Sequence, residues 1–245
     1  MSSSKTTYTR GSLNREISKL ANNLTMRTRR QKKVGLKMFV WKTTVSFSYK
    51  LKRVLDCVIA LLGLAVLSPL MLLVGVIIKL SSPGPIIFSQ NRVGRFGRNF
   101  RMYKFRSMFD GSDSIPTPVA SPESDARRKE KTKDDPRITP FGRFIRKTSI
   151  DELPQLINIL LGDMSVVGPR PPTPDEVMKY TLDDRKRLNV IPGLTGLWQI
   201  SGRSDIPANK QLELDKKYIA SQSFWFDICI ILKTIPAIIT GRGAY

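Results

Sequence analysis

Hydrophobic residues are concentrated in one uninterrupted stretch in the first third of the chain. From Cys57 to Ile78 the sequence reads CVIALLGLAVLSPLMLLVGVII, 22 residues without a charged side chain. As an α-helix this stretch would be about 33 Å long, and about 30 Å is enough to cross the apolar core of a bilayer. The pattern therefore predicts one membrane helix.

Two features favour a helix that enters and leaves the bilayer on the same side. Ser68-Pro69 lies near its centre, where a proline removes a backbone hydrogen bond and kinks the helix. Each half is then about ten residues, or ~15 Å, and reaches only the middle of the bilayer. Both flanks are basic, which places both ends in the cytoplasm. We expect a re-entrant helix within residues 50–82, with the Ser68 hydroxyl serving a carbonyl at the kink; one kinked spanning helix is the alternative.

The pattern beyond residue 83 predicts a mixed domain in which helices predominate. Residues 86–108 alternate aromatic or β-branched residues with basic ones around two glycines, which is typical of a β-hairpin. From Ser149, leucine and isoleucine recur at helical spacing until Gly162, a natural helix stop. Helices are also predicted over residues 175–188 and 208–222, and an ordered loop over residues 191–204.

A second apolar stretch, Phe224 to Thr240, is interrupted by two charges and a proline. It is too short and too polar to span a bilayer. The aromatic residues at its start favour an interfacial helix that lies in the headgroup layer. A buried core helix fits these residues equally well.

The net charge of +21 is unevenly distributed. Residues 1–53 contain fourteen Lys or Arg and one acid, residues 79–106 contain seven Lys or Arg and no acid, and the remainder is near neutral. Basic charge therefore flanks the apolar stretch, which favours anionic membrane lipids as the partner. A nucleic-acid-binding protein would carry a basic stripe and a reading motif on its folded domain, so nucleic acid is not expected as a partner.

Composition also limits the available chemistry. The chain has no histidine, and its two cysteines, Cys57 and Cys229, lie in apolar stretches, so a disulfide framework or thiolate metal site is not expected. Catalysis would have to use carboxylates, Lys, Arg or hydroxyls, with or without a bound divalent ion. We divide the chain into a basic, loosely structured arm (residues 1–49), the membrane helix (50–82) and a cytoplasmic domain (83–245).

The adjacent carboxylates Asp151 and Glu152 are the most informative candidates. Ser149-Ile-Asp-Glu152 matches a capping box, and acids at a helix start are stabilised by the helix dipole. Taken alone, these residues favour capping. Their surroundings favour chemistry, because arginines cluster in stretches rich in Pro and Gly: Arg143, Arg146, Arg170 and Arg203. Guanidinium groups suit phosphate oxygens, and paired carboxylates suit a divalent ion. The combination indicates phosphoryl chemistry at a membrane surface.

Four long motifs carry a resemblance to a known family. They are KRVLDCVIALLGLAVLSPLMLL, PGPIIFSQNRVGRFGRNFRMYKFRSM, KDDPRITPFGRFIRKTSIDELPQLINILLGDMSVVGPRP and PGLTGLWQISGR. Together, from about Lys52 to the C-terminus, they resemble the bacterial sugar transferases, the monotopic phosphoglycosyl transferases that begin exopolysaccharide, capsule and O-antigen synthesis. The resemblance implies an α+β, mainly helical monotopic membrane protein. Its expected parts are a re-entrant helix broken at Ser68-Pro69, interfacial amphipathic helices and a small β-hairpin.

The resemblance also implies a reaction. An aspartate, here Asp151, attacks the β-phosphate of a UDP-sugar and releases UMP, and undecaprenyl phosphate then takes the phosphosugar from the carboxylate. Glu152 is implied as a metal or proton partner, with Mg²⁺ held by Asp151 and Glu152. By motif match, the candidates for phosphate contacts are Lys104, Arg146, Arg170 and Arg203.

The same resemblance implies a place in the cell and leaves alternatives open. The expected location is the cytoplasmic face of the bacterial inner membrane, and a hexose such as glucose or galactose is the favoured sugar. A membrane-surface adaptor that kept the fold but lost activity is the alternative function. Self-association into a homo-oligomer is compatible with the sequence.

Overall fold

The computed structural model describes residues 10–112 and 135–240, with side chains except those of residues 10–37, 39–46 and 239. The chain divides into two compact units, residues 1–51 and 52–245. Seven α-helices are described: α1 (Arg10–Ser81), α2 (Pro140–Lys147), α3 (Gln155–Leu161), α4 (Pro174–Met178), α5 (Leu197–Ile200), α6 (Ala208–Ala220) and α7 (Phe224–Thr240). Four strands accompany them: β1 (Ile87–Val93), β2 (Asn99–Phe105), β3 (Ser165–Val167) and β4 (Gly193–Thr195). The described chain is therefore mainly helical with small sheets.

Helix α1 starts earlier than the sequence indicated. Residues 10–49 are helical, which differs from the expected loosely structured arm, and residues 1–9 lie outside the described residues. The segment is polar and basic, but Lys, Arg and Gln are good helix formers and no proline precedes Pro69. A composition that cannot form a core can still form a helix.

The proline in α1 is accommodated by its neighbour. The helix continues through Pro69, whose missing N–H leaves the carbonyl of Ala65 without its helical donor. The hydroxyl of Ser68 donates to that carbonyl at 3.0 Å. The predicted role of the Ser68 hydroxyl is confirmed, whereas the re-entrant path through a membrane stays a prediction.

One face of α1 packs on the domain and the rest is open. Ala60 belongs to a core cluster with Leu156 and Ile159, and Val74 belongs to a second cluster with Phe105. Within the described residues, Phe47–Ser81 is the segment long and apolar enough to cross a membrane, yet only 11% of its most apolar window is buried. The core helix of a soluble protein would be mostly buried, so this exposed apolar surface indicates membrane association.

The predicted hairpin is confirmed. Strands β1 and β2 pair antiparallel, from Ile87 opposite Phe105 to Val93 opposite Asn99. The chain reverses through a short 3₁₀ turn in which Gly97 has a φ of +76°, a conformation that costs glycine little.

The prediction of a loop over residues 191–204 is wrong in part. Residues 193–195 form β4, which pairs parallel with β3, and residues 197–200 form α5. Three-residue strands are too short to show an alternating pattern, and a parallel partner lies far away in the sequence. Local periodicity therefore contains no signal for this sheet.

Two predicted helices are shorter than expected, and two are confirmed. Over residues 175–188 only α4 and a 3₁₀ turn at Asp184–Asn189 form. The reason is local: Asp184 accepts from the N–H of Thr181, and the Thr181 hydroxyl accepts from the N–H of Asp184, which competes with helical bonding. The helix from Ser149 is a 3₁₀ turn followed by α3, which ends at Gly162 as predicted. The helices over 208–222 and 224–240 are confirmed.

Gly193→Ala is expected to destabilise the domain by about 1–3 kcal/mol. A Cβ at residue 193 would lie 2.0 Å from the backbone nitrogen of Gly168 and 2.7 Å from the carbonyl oxygen of Thr195, and backbone cannot move aside as a flexible side chain can. Urea unfolding in detergent, followed by tryptophan fluorescence, measures the change. Gly75→Ala is the control, because a Cβ there meets only the Ile86 side chain at 3.4 Å; equal losses in both variants would contradict the expectation.

Candidate active site

Asp151 and Glu152 lie on a 3₁₀ turn between α2 and α3. Ser149, which precedes them, has a left-handed φ of 59° and its side chain makes no capping hydrogen bond. The backbone N–H of Ser149 donates to the carbonyl of Arg146, at the end of α2. The capping box that the local sequence favoured is therefore not formed, since a capping box needs the serine side chain in an extended N-cap residue.

The two carboxylates converge on one lysine. Lys104, on β2, places its Nζ 2.6 Å from Oε1 of Glu152 and 3.8 Å from Oδ2 of Asp151. The Asp151 side chain is 10% exposed and that of Glu152 is 33% exposed. Asp151 is thus enclosed, and Glu152 is partly exposed.

Two half-buried arginines complete the positive surroundings. Burial lowers the pKa of both Arg146 and Arg203, and the charges of Asp151 and Glu152 oppose that shift. Guanidinium groups keep their proton at neutral pH despite such shifts. The structure therefore brings three of the predicted phosphate ligands, Lys104, Arg146 and Arg203, within electrostatic reach of the carboxylates.

Backbone strain is concentrated at the same place. Among the described residues, three non-glycine residues have a positive φ: Phe96, Ser149 and Arg203. Two of the three belong to this site, directly before the acidic pair and at one of its arginines. Left-handed backbone at a residue with a side chain is costly and is often retained where function needs it.

Arg170, the fourth predicted phosphate ligand, is held by another acid. Its Nη1 lies 3.2 Å from Oε2 of Glu176, a buried residue that also accepts from the N–H of Thr173 in a complete capping box at the start of α4. The guanidinium of Arg170 is therefore directed by Glu176 of α4 and not by the acidic pair.

Arg92 is a residue that the sequence reasoning missed. It is buried, and its pKa is lowered by burial and by the positive charge of Arg170, while Glu176 and Glu152 raise it. In the sequence it was one of several basic residues beside the apolar stretch. The signal that could have separated it is its place on the same face of β1 as Phe88 and Gln90, which are partly buried.

The loop that carries Arg170 is unusually well anchored through its carbonyls. Prolines at 169, 171 and 172 have no N–H to donate. The four successive carbonyls of residues 169–172 accept, in order, from the N–H of Gly193 (2.8 Å), Nη2 of Arg187 (2.8 Å), Nη1 of Arg92 (3.1 Å) and the N–H of Val93 (2.9 Å). Four donors from three different parts of the chain therefore fix this loop, which we call the proline loop.

Comparison with known proteins places this site in a family. The family model of the bacterial sugar transferases matches residues 47–241. The chain belongs to the bacterial sugar transferase family. The match includes the acidic pair, its basic surroundings and the proline loop.

Relatives of known name are similar over the same region. A galactosyl transferase CpsE of Streptococcus agalactiae is 49% identical over 194 residues, which cover 79% of this chain and 43% of that protein. The exopolysaccharide production protein ExoY of Sinorhizobium fredii is 44% identical over 200 residues, 79% of this chain and 88% of that protein. An undecaprenyl-phosphate galactose phosphotransferase of Salmonella typhimurium is 44% identical over 199 residues, 80% of this chain and 42% of that protein. The chain thus spans less than half of two relatives and most of the third.

The carboxylates of this sugar transferase fit a divalent ion that is shared with a phosphate. No group of three or more acidic, Cys or His side chains that could hold a metal occurs within residues 10–112 and 135–240. Mg²⁺ needs only one or two protein carboxylates when substrate phosphates and water supply the other ligands. Asp151 and Glu152 already share one cation, the Lys104 ammonium, so their oxygens face a common point.

Proposed function

We propose that this sugar transferase moves a sugar-1-phosphate from a UDP-sugar to undecaprenyl phosphate at the cytoplasmic face of the bacterial inner membrane. The observation that supports it best is the enclosed Asp151 beside Glu152, within reach of three cationic side chains. A carboxylate that attacks a diphosphate is an anion approaching an anion, and fixed positive charge in an enclosed site offsets that repulsion.

Asp151 is the nucleophile in this proposal. An Oδ atom of Asp151 attacks the β-phosphorus of the UDP-sugar, and the bond from that phosphorus to the oxygen bridging the two phosphates breaks. UMP leaves with the bridging oxygen, and the sugar phosphate stays on Asp151 as an acyl phosphate. A phosphate oxygen of the lipid then attacks the same phosphorus and releases the Asp151 carboxylate, so one transfer becomes two steps.

The surrounding residues bind and orient the phosphates. Lys104, Arg146 and Arg203 neutralise charge on the phosphoryl group, and the proline loop presents Arg170, with Arg92 behind it, to the leaving nucleotide. Mg²⁺ held by Asp151 and Glu152 would supply further charge neutralisation at the phosphate oxygens. Glu152 orients Lys104 through its 2.6 Å contact.

The substrates and the pathway are supported by the relatives' names. Two of the three relatives are named for galactose, one of these for undecaprenyl phosphate, and the third for exopolysaccharide production. We therefore propose that the transferred sugar is a hexose, with galactose favoured over glucose. The reaction would be the first membrane step of exopolysaccharide, capsule or O-antigen synthesis. The exposed apolar side of Phe47–Ser81 supports attachment to the membrane, Ser68-Pro69 and the basic flanks support a re-entrant path, and the aromatic start of α7 supports an interfacial helix.

UMP release tests this proposal. Purified protein in detergent is incubated with Mg²⁺, undecaprenyl phosphate and, separately, UDP-galactose, UDP-glucose, UDP-N-acetylglucosamine and UDP-N-acetylgalactosamine. We expect UMP and a glycosyl-diphospholipid with one hexose donor, in amounts that depend on Mg²⁺. If folded protein released no UMP with any of the four UDP-sugars, the result would favour the inactive membrane-surface adaptor.

A further inference from the structure

A cavity of about 410 Å³ lies beside Arg203, between the segment 199–203 and helix α7. Ligand sites in proteins commonly have volumes of about 300–1,000 Å³, so the cavity can hold part of a small amphiphile. The mechanism above uses Arg203 but leaves the rest of this space unassigned.

The α7 wall of the cavity is a single helix face. Lys233, Pro236, Ala237 and Thr240 line it, and their spacing of three, one and three residues places them on one side of the helix. An adjacent side of α7 carries exposed apolar side chains, among them Leu232 and Ile235. The cavity therefore opens beside an uncovered apolar surface.

The charges that line the cavity are positive. Arg203 and Lys233 contribute them, and no acidic residue lines it. Among the described residues, neither side chain makes a hydrogen bond or ion pair. Arg203 also interacts electrostatically with Glu152 and Asp151, so one guanidinium connects the cavity with the proposed nucleophile.

We propose that this cavity binds the phosphate and first prenyl units of the polyprenyl phosphate acceptor, an inference that rests on the proposed function. Lys233 and Arg203 bind the phosphate, and Ile200, Pro236 and Ala237 contact the first units of the chain, which leaves along the exposed apolar side of α7. Gln199, Ser201 and Thr240 also line the cavity, so it is the apolar contacts of Ile200, Pro236 and Ala237, continued by the exposed apolar side of α7, that favour a prenyl chain over a nucleotide-sugar. Lys233 is thereby a lipid-binding residue of the acceptor step.

Cysteine protection tests binding directly. Ala237→Cys is placed in a background with Cys57→Ala and Cys229→Ala, and its rate of modification by a maleimide is measured in detergent. We expect undecaprenyl phosphate to slow modification at least fivefold, and equal concentrations of undecaprenol, inorganic phosphate or UDP-galactose to change it less than twofold. Lys217→Cys, exposed on α6, should react equally with and without lipid.

The outcomes separate this inference from the proposed function. Protection by UDP-galactose or UMP instead of the lipid, or no protection by the lipid, would overturn the proposed lipid site. Thr240→Cys is the second labelling site if Ala237→Cys does not fold. The measurement reports binding and stays decisive even if no UDP-sugar in the panel reacts.

Kinetics provide a second readout. We expect Lys233→Gln to lower kcat/KM for undecaprenyl phosphate about tenfold and to lower kcat/KM for the UDP-sugar by no more than about twofold. In a two-step transfer each of these ratios reports its own half-reaction. Lys217→Gln should leave both ratios unchanged. Equal losses in the two ratios for Lys233→Gln would show that Lys233 supports the fold or the nucleotide, and would contradict the assignment.

Discussion

Asp151→Asn is expected to lower kcat for UMP release at least about 10³-fold, because an amide cannot form the acyl phosphate. Incubation with a radiolabelled UDP-sugar and no lipid isolates the first step. Wild-type protein should retain label that hydroxylamine removes, and the variant should retain none. Peptide mapping of the labelled protein should locate the sugar phosphate on the peptide containing Asp151.

Two further variants show whether the loss is specific to this carboxylate. Glu152→Gln should still accept label, more slowly, since Glu152 orients Lys104 and does not attack. Asp183→Asn removes a surface carboxylate that pairs with Lys186 and Lys216 and should match wild type. Normal UMP release by Asp151→Asn, or label that maps to Glu152, would remove Asp151 from the mechanism.

Arg187→Met is expected to destabilise the domain by about 3–5 kcal/mol, since it removes one side of a buried ion pair with Asp215. The side chains of Arg187 and Asp215 are 2% and 1% exposed, and Nη2 of Arg187 lies 2.5 Å from Oδ2 of Asp215. Arg187 also donates to the hydroxyl of Tyr180 and to the carbonyl of Arg170. The variant should therefore also raise KM for the UDP-sugar, because the proline loop loses one of its four donors.

Urea unfolding and steady-state kinetics measure the two effects of Arg187→Met. The double variant Arg187→Met/Asp215→Leu should recover most of the stability, since an apolar pair can replace a buried ion pair, but not the KM. Lys210→Met, which breaks an exposed pair with Glu213, should cost at most about 1 kcal/mol. A loss below that value for Arg187→Met would show that the pair is dispensable.

Prediction from sequence succeeded where the signal was local. The long apolar helix, the hairpin, the stop at Gly162 and the helices after residue 207 each follow from periodicity or from a single turn residue. The acidic pair is the opposite case. Its local sequence matched a helix cap. Only the contact with Lys104, which lies on β2 and is 48 residues away in the sequence, shows that Glu152 pairs with a cation instead.

The remaining errors arise from contacts between distant segments. The parallel pairing of β3 with β4 joins residues 165–167 with 193–195, and Arg92 acquires its role only when β1 lies beside the proline loop. Neither depends on a pattern within a few residues of its own position. Asp215 is similar: on α6 it is one acid among charged neighbours, and in the fold it is buried and paired with Arg187, 28 residues away.

The anchoring of the proline loop also has a consequence for the order of assembly. Its four acceptors are satisfied by residues from the hairpin, from the 3₁₀ turn at 184–189 and from β4, which together span about a hundred positions of sequence. A nascent chain that ends just after the proline loop contains only the two hairpin donors, Arg92 and Val93, and can satisfy two of them. Under the proposed function, the loop that presents Arg170 to the nucleotide would be fully anchored only after β4 has left the ribosome.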